Sequence, residues 1–232
     1  MDVTVDEARE LVADQALWPR VRDFLWDFAP QVHPSWVKDL FPRGGAEARS
    51  GGPALEGVCD AAALREAKSP RVRRFILDSL GVEPCFHAFP KDDGSRMLLL
   101  DGATLESAAK WLGALACVES LRRVTDGKSV RALKAGLPGI YPEVFGYAMY
   151  FKDLASRGDA ESRSEDIVAE VVGSGYGLLL SVFSDLPASL VARLKFKLPK
   201  GLCNSESMRE TGLSTIYKLF KLKFPEAYSL CC

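Results

Sequence analysis

Apolar side chains that recur every three or four residues, in short blocks cut by proline and glycine, constrain this chain more than any other feature. Val21, Phe24, Leu25 and Phe28 fall at i, i+3, i+4 and i+7, one stripe of a helix that Pro19 can begin and that Pro30 and Pro34 stop. Ser69 and Pro70 read as the next start, serine at the N-cap and proline in the first turn, with Gly81 placed to end that helix in the left-handed conformation. Leu105, Ala108, Ala109, Leu112 and Ala116 make another stripe, but Leu121 is out of phase with it. That helix either breaks near Gly113 or is buried on two sides.

Further helices follow the same logic. Residues 6–17 read as a helix with acids in its first turn. Asp126 can cap a helix through Val130, Leu133 and Lys134 that halts at Gly136, Leu137 and Pro138, and 141–154 reads as one apolar helix. Residues 157–163 read as a polar loop, and Ser162 and Glu165 have capping-box spacing ahead of Ile167 and Val168. On the last helix Leu213, Ile216, Tyr217 and Phe220 are expected to be buried, with Lys218 opposite and Lys221 and Lys223 on its flanks. The expectation is a mainly α protein, a compact multi-helix domain. The one place for a short strand pair is 96–100, between Gly94 and Gly102, which reads equally as the start of a helix. The glycine-rich stretch 43–53 is read as a linker. It separates an N-terminal helical segment, 1–42, from a helical core domain, 54–232, on which that segment is expected to pack as one domain.

Charge is balanced overall but not along the chain. Lys+Arg (30) and Asp+Glu (31) nearly cancel, which argues against a polyanion binder by bulk charge. Yet the first 60 residues carry eleven acids against six bases, and 190–223 carries eight bases against Glu206 and Glu210. With 47% hydrophobic and 26% charged residues the composition excludes wholesale disorder. The acidic opening, with Asp2, Asp6, Glu7, Glu10 and Asp14 against Arg9, is unlike a secretory signal, and apolar runs such as 97–100 and 176–180 fall far short of the ~20 residues of a membrane span. A cytoplasmic protein is expected, its six scattered cysteines reduced and mostly buried.

A search for chemistry excludes more than it finds. Gly127-Lys128-Ser129 lacks the glycine five residues earlier that a phosphate loop needs, since Arg122 stands there, and it reads as a helix start. Gly173, Gly175 and Gly177 do not match a dinucleotide fingerprint and read as close helix packing or a kink. Ser174 is no nucleophile elbow, because Val172 and Tyr176 occupy the glycine positions. Cys85 and His87 offer two metal ligands without a second pair, and Asp92-Asp93 ahead of Gly94 and Ser95 is turn chemistry. Cys231-Cys232 resembles a prenylation end, but the phosphate loop of the GTPases that carry it is missing. No catalytic, cofactor or metal residue is assigned. Two competing readings stay open: a hydrolase or transferase using His33 or His87 with a nearby acid, and a binder of anionic lipid or nucleic acid through 193–223.

Several segments, in order, resemble a known family. They are His33-Pro34-Ser35-Trp36, Trp111-Leu112-Gly113 leading to Leu121-Arg122-Arg123-Val124, Val130-Arg131-Ala132-Leu133-Lys134, and Phe224-Pro225-Glu226-Ala227. Together they are similar to the K-component of bacterial type III secretion systems, the SctK (YscK/PscK-like) sorting-platform family. The resemblance implies a mainly helical, non-enzymatic cytoplasmic adaptor without cofactor. It would link the inner-membrane ring's cytoplasmic domains (SctD-type) to the pod protein (SctQ-type), with stator and ATPase in the same assembly. It would meet the membrane through those partners and bind no nucleic acid. Residues offered for partner contact are Trp36, Arg122, Arg123, Arg193, Lys195, Lys197, Lys218 and Lys221. Phe41, Tyr141, Phe145, Tyr147, Tyr150 and Phe151 are further anchor candidates, each also suited to a core.

Overall fold

A computed structural model describes residues 17–40, 69–83, 85–90, 93–155, 166–202 and 212–231. The expected front helix, the linker at 43–53, the loop at 157–163, Phe41 and the Ser162–Glu165 pair lie outside these residues. Among the described residues there are twelve α-helices, four short 3-10 turns and no strand, so the chain is mainly α as expected. They fall into two compact units. The first takes the described residues up to Gly102 and returns for Leu186–Lys200; the second takes those of Ala103–Asp185 and of Gly201–Cys232.

In the first unit, α1 (Trp18–Leu25) starts with proline in its first turn and buries Val21, Phe24 and Leu25, the predicted stripe. It ends at Leu25, earlier than the prolines suggested. Pro30 lies in a 3-10 turn, Ala29–Gln31, and Pro34 opens α2 (Pro34–Leu40) instead of merely closing what precedes it. Helix α3 (Pro70–Ser79) follows with Ser69 extended at its N-cap, although the serine hydroxyl takes no capping bond. Its other end is as predicted. Gly81 sits at φ +65°, its N–H donates to the Asp78 carbonyl at 3.1 Å, and the Val82 N–H donates to the Leu77 carbonyl at 2.9 Å. These two bonds close a Schellman motif that a side chain at position 81 would strain.

The 96–100 stretch is no strand. Gly94, at φ +72°, turns the chain into a 3-10 turn, Ser95–Leu99, whose first N–H is taken by the Asp93 carboxylate at 2.7 Å. Met97 through Leu100 are all buried, and the local bonds Met97 N–H to Gly94 and Leu100 N–H to Met97 satisfy backbone that a strand would have needed a partner to satisfy.

In the second unit, α4 (Gly102–Ala116, its first residue in the other unit) runs straight through Gly113 and buries more than one side, including Trp111, Ala114 and Leu115 as well as the predicted stripe. It breaks at Cys117, and α5 (Val118–Arg123) turns away to bury Leu121. Asp126 caps α6 (Gly127–Gly136) as expected, its carboxylate accepting from the Ser129 N–H at 2.8 Å. The single helix expected over 141–154 is three pieces: α7 (Ile140–Tyr147), a 3-10 turn (Ala148–Tyr150) and α8 (Lys152–Ala155). Helix α9 (Ile167–Val182) is capped by Asp166, which accepts from the Ala169 N–H. Back in the first unit comes α10 (Ala188–Lys197), and the second unit closes with α11 (Leu213–Lys223) and α12 (Pro225–Cys231). On α11 the buried residues are Ile216, Leu219 and Phe220; Leu219 takes the place expected for Tyr217, which is half-buried.

Helices α4 and α9 meet backbone to backbone. A Cβ on Gly113 would lie 1.9 Å from the Val171 carbonyl oxygen, and one on Gly175 would lie 1.9 Å from that of Ala109. The expected role of the 173–177 glycines in close packing therefore holds at Gly175.

Candidate partner-binding surfaces

The eight residues offered for partner contact divide by burial. In the first unit α10 presents one face to the interior, and two of its cations lie on that face. Arg193 is 2% exposed and Lys197 1% exposed, so neither sits on a surface as the sequence reading had them. Arg193 spreads its guanidinium over backbone carbonyls: Nε donates to Phe24, Nη2 to Leu25 and Glu83, and Nη1 to Ser189. Four residues on, the Lys197 amine donates to Leu98 at 2.6 Å and Leu100 at 2.8 Å, and lies 4.7 Å above the Phe24 ring. Phe24 and Leu25 carry the last carbonyls of α1, and Leu98 and Leu100 lie at the end of the 95–99 turn, where a helix end leaves carbonyls without internal partners. Two buried cations thus finish two helix ends.

Burial pulls the Lys197 amine down to about 7, with Asp101 favouring its charge and Arg20 opposing it. A sequence signal for this placement exists. Leu190, Arg193, Leu194, Lys197 and Leu198 stand at i, i+3, i+4, i+7 and i+8, so both cations lie in the apolar stripe itself. Lys195, between them, is exposed.

Trp36 is half-buried. Its Nε1 donates to the Leu198 carbonyl at 2.8 Å, and its ring meets Phe196 edge-on with 4.9 Å between centroids. The His33 N–H to Phe196 carbonyl bond and the Lys200 N–H to Ser35 Oγ bond staple the same two segments. Trp36 therefore spends its polar handle inside the first unit.

Both histidines lie in loops, and one of them has a carboxylate beside it. His33 Nδ1 accepts from the Ser35 N–H at the start of α2. His87 Nε2 lies 3.4 Å from Asp93 Oδ2, longer than a good hydrogen bond, and its ring packs edge-on against Phe89. Burial works to raise the Asp93 carboxyl, but His87 and Ser95 outweigh it and hold the group below the ordinary carboxylate value. The Ser95 hydroxyl donates to the Pro90 carbonyl and the Arg96 side chain to that of Phe89, so this cluster braces its loop. No His, Cys, Asp and Glu cluster among the described residues could hold a metal ion. Cys117 and Cys231 are buried and Cys85 half-buried, and none of the three is in a disulfide. Among the described residues no helix is long and apolar enough to cross a membrane.

In the second unit the offered cations are at the surface. Arg122 and Arg123 are exposed on α5, Arg122 paired with Glu119. Lys218 and Lys221 are exposed on α11, where the Lys218 amine donates to the Tyr150 carbonyl and lies 5.4 Å from the Phe151 ring. Lys223, expected on a flank, is drawn in. It pairs with Glu143 and stands 3.9 Å from the Tyr147 ring and 4.3 Å from that of Trp111. Burial opposes its charge, but Glu143 and Tyr147 outweigh that and hold it above the ordinary lysine value. Of the aromatic anchor candidates, Phe151 is core, Tyr147 is half-buried, and Tyr150 is 52% exposed. Trp26, Phe75 and Phe86 in the first unit, and Met149 and Leu222 in the second, are exposed apolar residues that the sequence reading did not pick out.

A family model described as YOP proteins translocation protein K (YscK) matches residues 34–230. No curated protein matches the chain, and neither does any solved structure.

Proposed function

This chain belongs to the YscK family of type III secretion proteins, and on that premise we propose that it is a non-enzymatic adaptor of the secretion sorting platform. It works in the cytoplasm, at the inner face of the inner membrane. There it bridges the pod protein (SctQ-type) to the cytoplasmic domains of the inner-membrane ring (SctD-type), in one assembly with stator and ATPase. The observation that carries this reading is the family match over 34–230.

The physical character of the surface supports it. The exposed Trp26, Phe75, Phe86, Met149 and Tyr150 are of the aromatic and methionine types enriched at protein interfaces. The cations left at the surface, Lys195, Lys218 and Lys221 among them, suit partners of opposite charge, where complementarity sets orientation and encounter rate. The test is co-purification of the purified chain with the pod protein and with the ring's cytoplasmic domain at low salt. Capture of both is expected; capture of neither overturns the proposal.

A further inference from the structure

Three aromatic rings of the first unit touch one another at its surface. Trp18, at the start of α1, and Trp26, just past its end, lie with 5.8 Å between ring centroids, and the Phe86 ring lies 6.3 Å from that of Trp26. Trp26 is 46% exposed, Phe86 43%, and Trp18 is half-buried, so their mutual contact leaves a joined aromatic face in water. The polar ends of the two indoles are open as well. The Trp36 N–H donates to the Leu198 carbonyl, but among the described residues the Trp18 and Trp26 N–H groups have no acceptor, and neither nitrogen is buried.

Charge gives this face no sign. Arg22, one turn from each tryptophan, donates from Nε and Nη2 to Asp23 at 3.0 and 2.8 Å. Asp27, next to Trp26, pairs with Arg73, and His87, next to Phe86, lies against Asp93. Arg20 and Glu83, both exposed, are of opposite sign. What complements such a face is a ligand with flat apolar surface and free carbonyl acceptors, without charge. A helix has already spent its carbonyls on itself, and an ordinary extended chain brings N–H groups that would lose water against the rings. A proline-rich chain avoids both costs. Its rings carry no N–H, its polyproline II backbone makes no internal hydrogen bonds, and its conformation is set before binding. Aromatic-lined surfaces are a recurring way of holding such segments. We propose that the Trp18–Trp26–Phe86 face binds an uncharged, proline-rich segment of a partner protein, its pyrrolidine rings on the aromatic rings and its carbonyls accepting from the Trp18 and Trp26 N–H groups. The inference rests on the adaptor reading and names the chemistry of one contact within it.

The probe is an uncharged Pro/Leu peptide with capped ends, titrated into the full chain beside two controls of equal length, an Ala/Gln helical peptide and a Gly/Ser peptide. The readout is the indole N–H signals of the chain's four tryptophans, assigned with single Trp→Phe variants. The Pro/Leu peptide should move the Trp18 and Trp26 signals, leave those of Trp36 and Trp111, and bind at least about ten-fold more tightly than either control. Trp26→Ala or Phe86→Ala should weaken it about ten-fold. Trp26→Phe, which keeps a ring and removes only the donor, should weaken it about five-fold, and it keeps the test open should an alanine variant unfold. Equal binding of a control, unmoved Trp18 and Trp26 signals, indifference to all three variants, or shifts that follow the chain's own concentration overturn the proposal. Capture of pod and ring proteins is read separately, so the aromatic face can fail while the adaptor reading stands, and the reverse.

Discussion

Lys197 puts an amine into the interior of the first unit against two backbone carbonyls, and its protonation there is set by burial. The unfolded chain holds this proton up to about 10.4, the folded chain only to about 7. Between those values the unfolded state binds more protons, so the contribution of Lys197 to stability is complete above the unfolded value and is lost as pH falls toward 7. Urea unfolding followed from pH 7 to 10 should show stability rising by up to about 1.4 kcal/mol per pH unit more in the parent than in Lys197→Met. Parallel curves for the two proteins would mean that the amine stays charged in the fold. The sequence reading placed Lys197 and Arg193 on a surface because charged residues seldom sit fully buried. The position of each in the Leu190–Leu194–Leu198 stripe was the better guide, since a helix face in a core buries whatever stands on it.

Single elements were legible where the signal was local. Pro70 and Gly81 bound α3, and Asp126 caps α6, because a proline ring, a left-handed glycine and a carboxylate near the unpaired N–H groups of a helix start act within one turn of chain. The break of 141–154 into three pieces was not legible. The carbonyl that ends its 3-10 turn is satisfied by Lys218, 68 residues away, and no local pattern reports that. The α4–α9 contact lies between these cases, since its glycines are visible but their mutual approach is not. Gly113→Ala and Gly175→Ala each push a methyl group into a backbone carbonyl, which cannot rotate aside. Each should lower stability by roughly 3 kcal/mol or more. Gly146, in α7 with nothing within 4 Å of a built Cβ, should tolerate alanine or gain about 0.5–1 kcal/mol. Thermal melts of the three variants make the comparison, and equal shifts would remove close approach as the cause.

At the scale of the whole chain, an acidic first 60 residues and a basic 190–223 stretch leave almost no net charge. Bridging by complementary charge then has a measurable signature. Capture of pod and ring proteins should weaken progressively as salt rises from low to physiological and beyond, because surface pairs are screened over about 10 Å at 0.1 M salt. Capture that ignores salt would assign the binding to apolar contact alone. The helical class and the family resemblance were readable because periodicity and ordered patches are spread along the sequence. Of the surface, charge was readable in part, whereas the approach of Lys218 to the Tyr150 carbonyl arises only through tertiary contact.

The first unit is not finished by its own stretch of sequence. Arg193 and Lys197, which close the ends of α1 and of the 95–99 turn, belong to the returning segment Leu186–Lys200. During synthesis, the ribosome must therefore release the whole of 103–185 before the hydrogen-bond donors for Phe24, Leu25, Leu98 and Leu100 exist. The nascent chain carries these open carbonyls through most of its translation, and the second unit, which takes Gly201–Cys232, is completed later still.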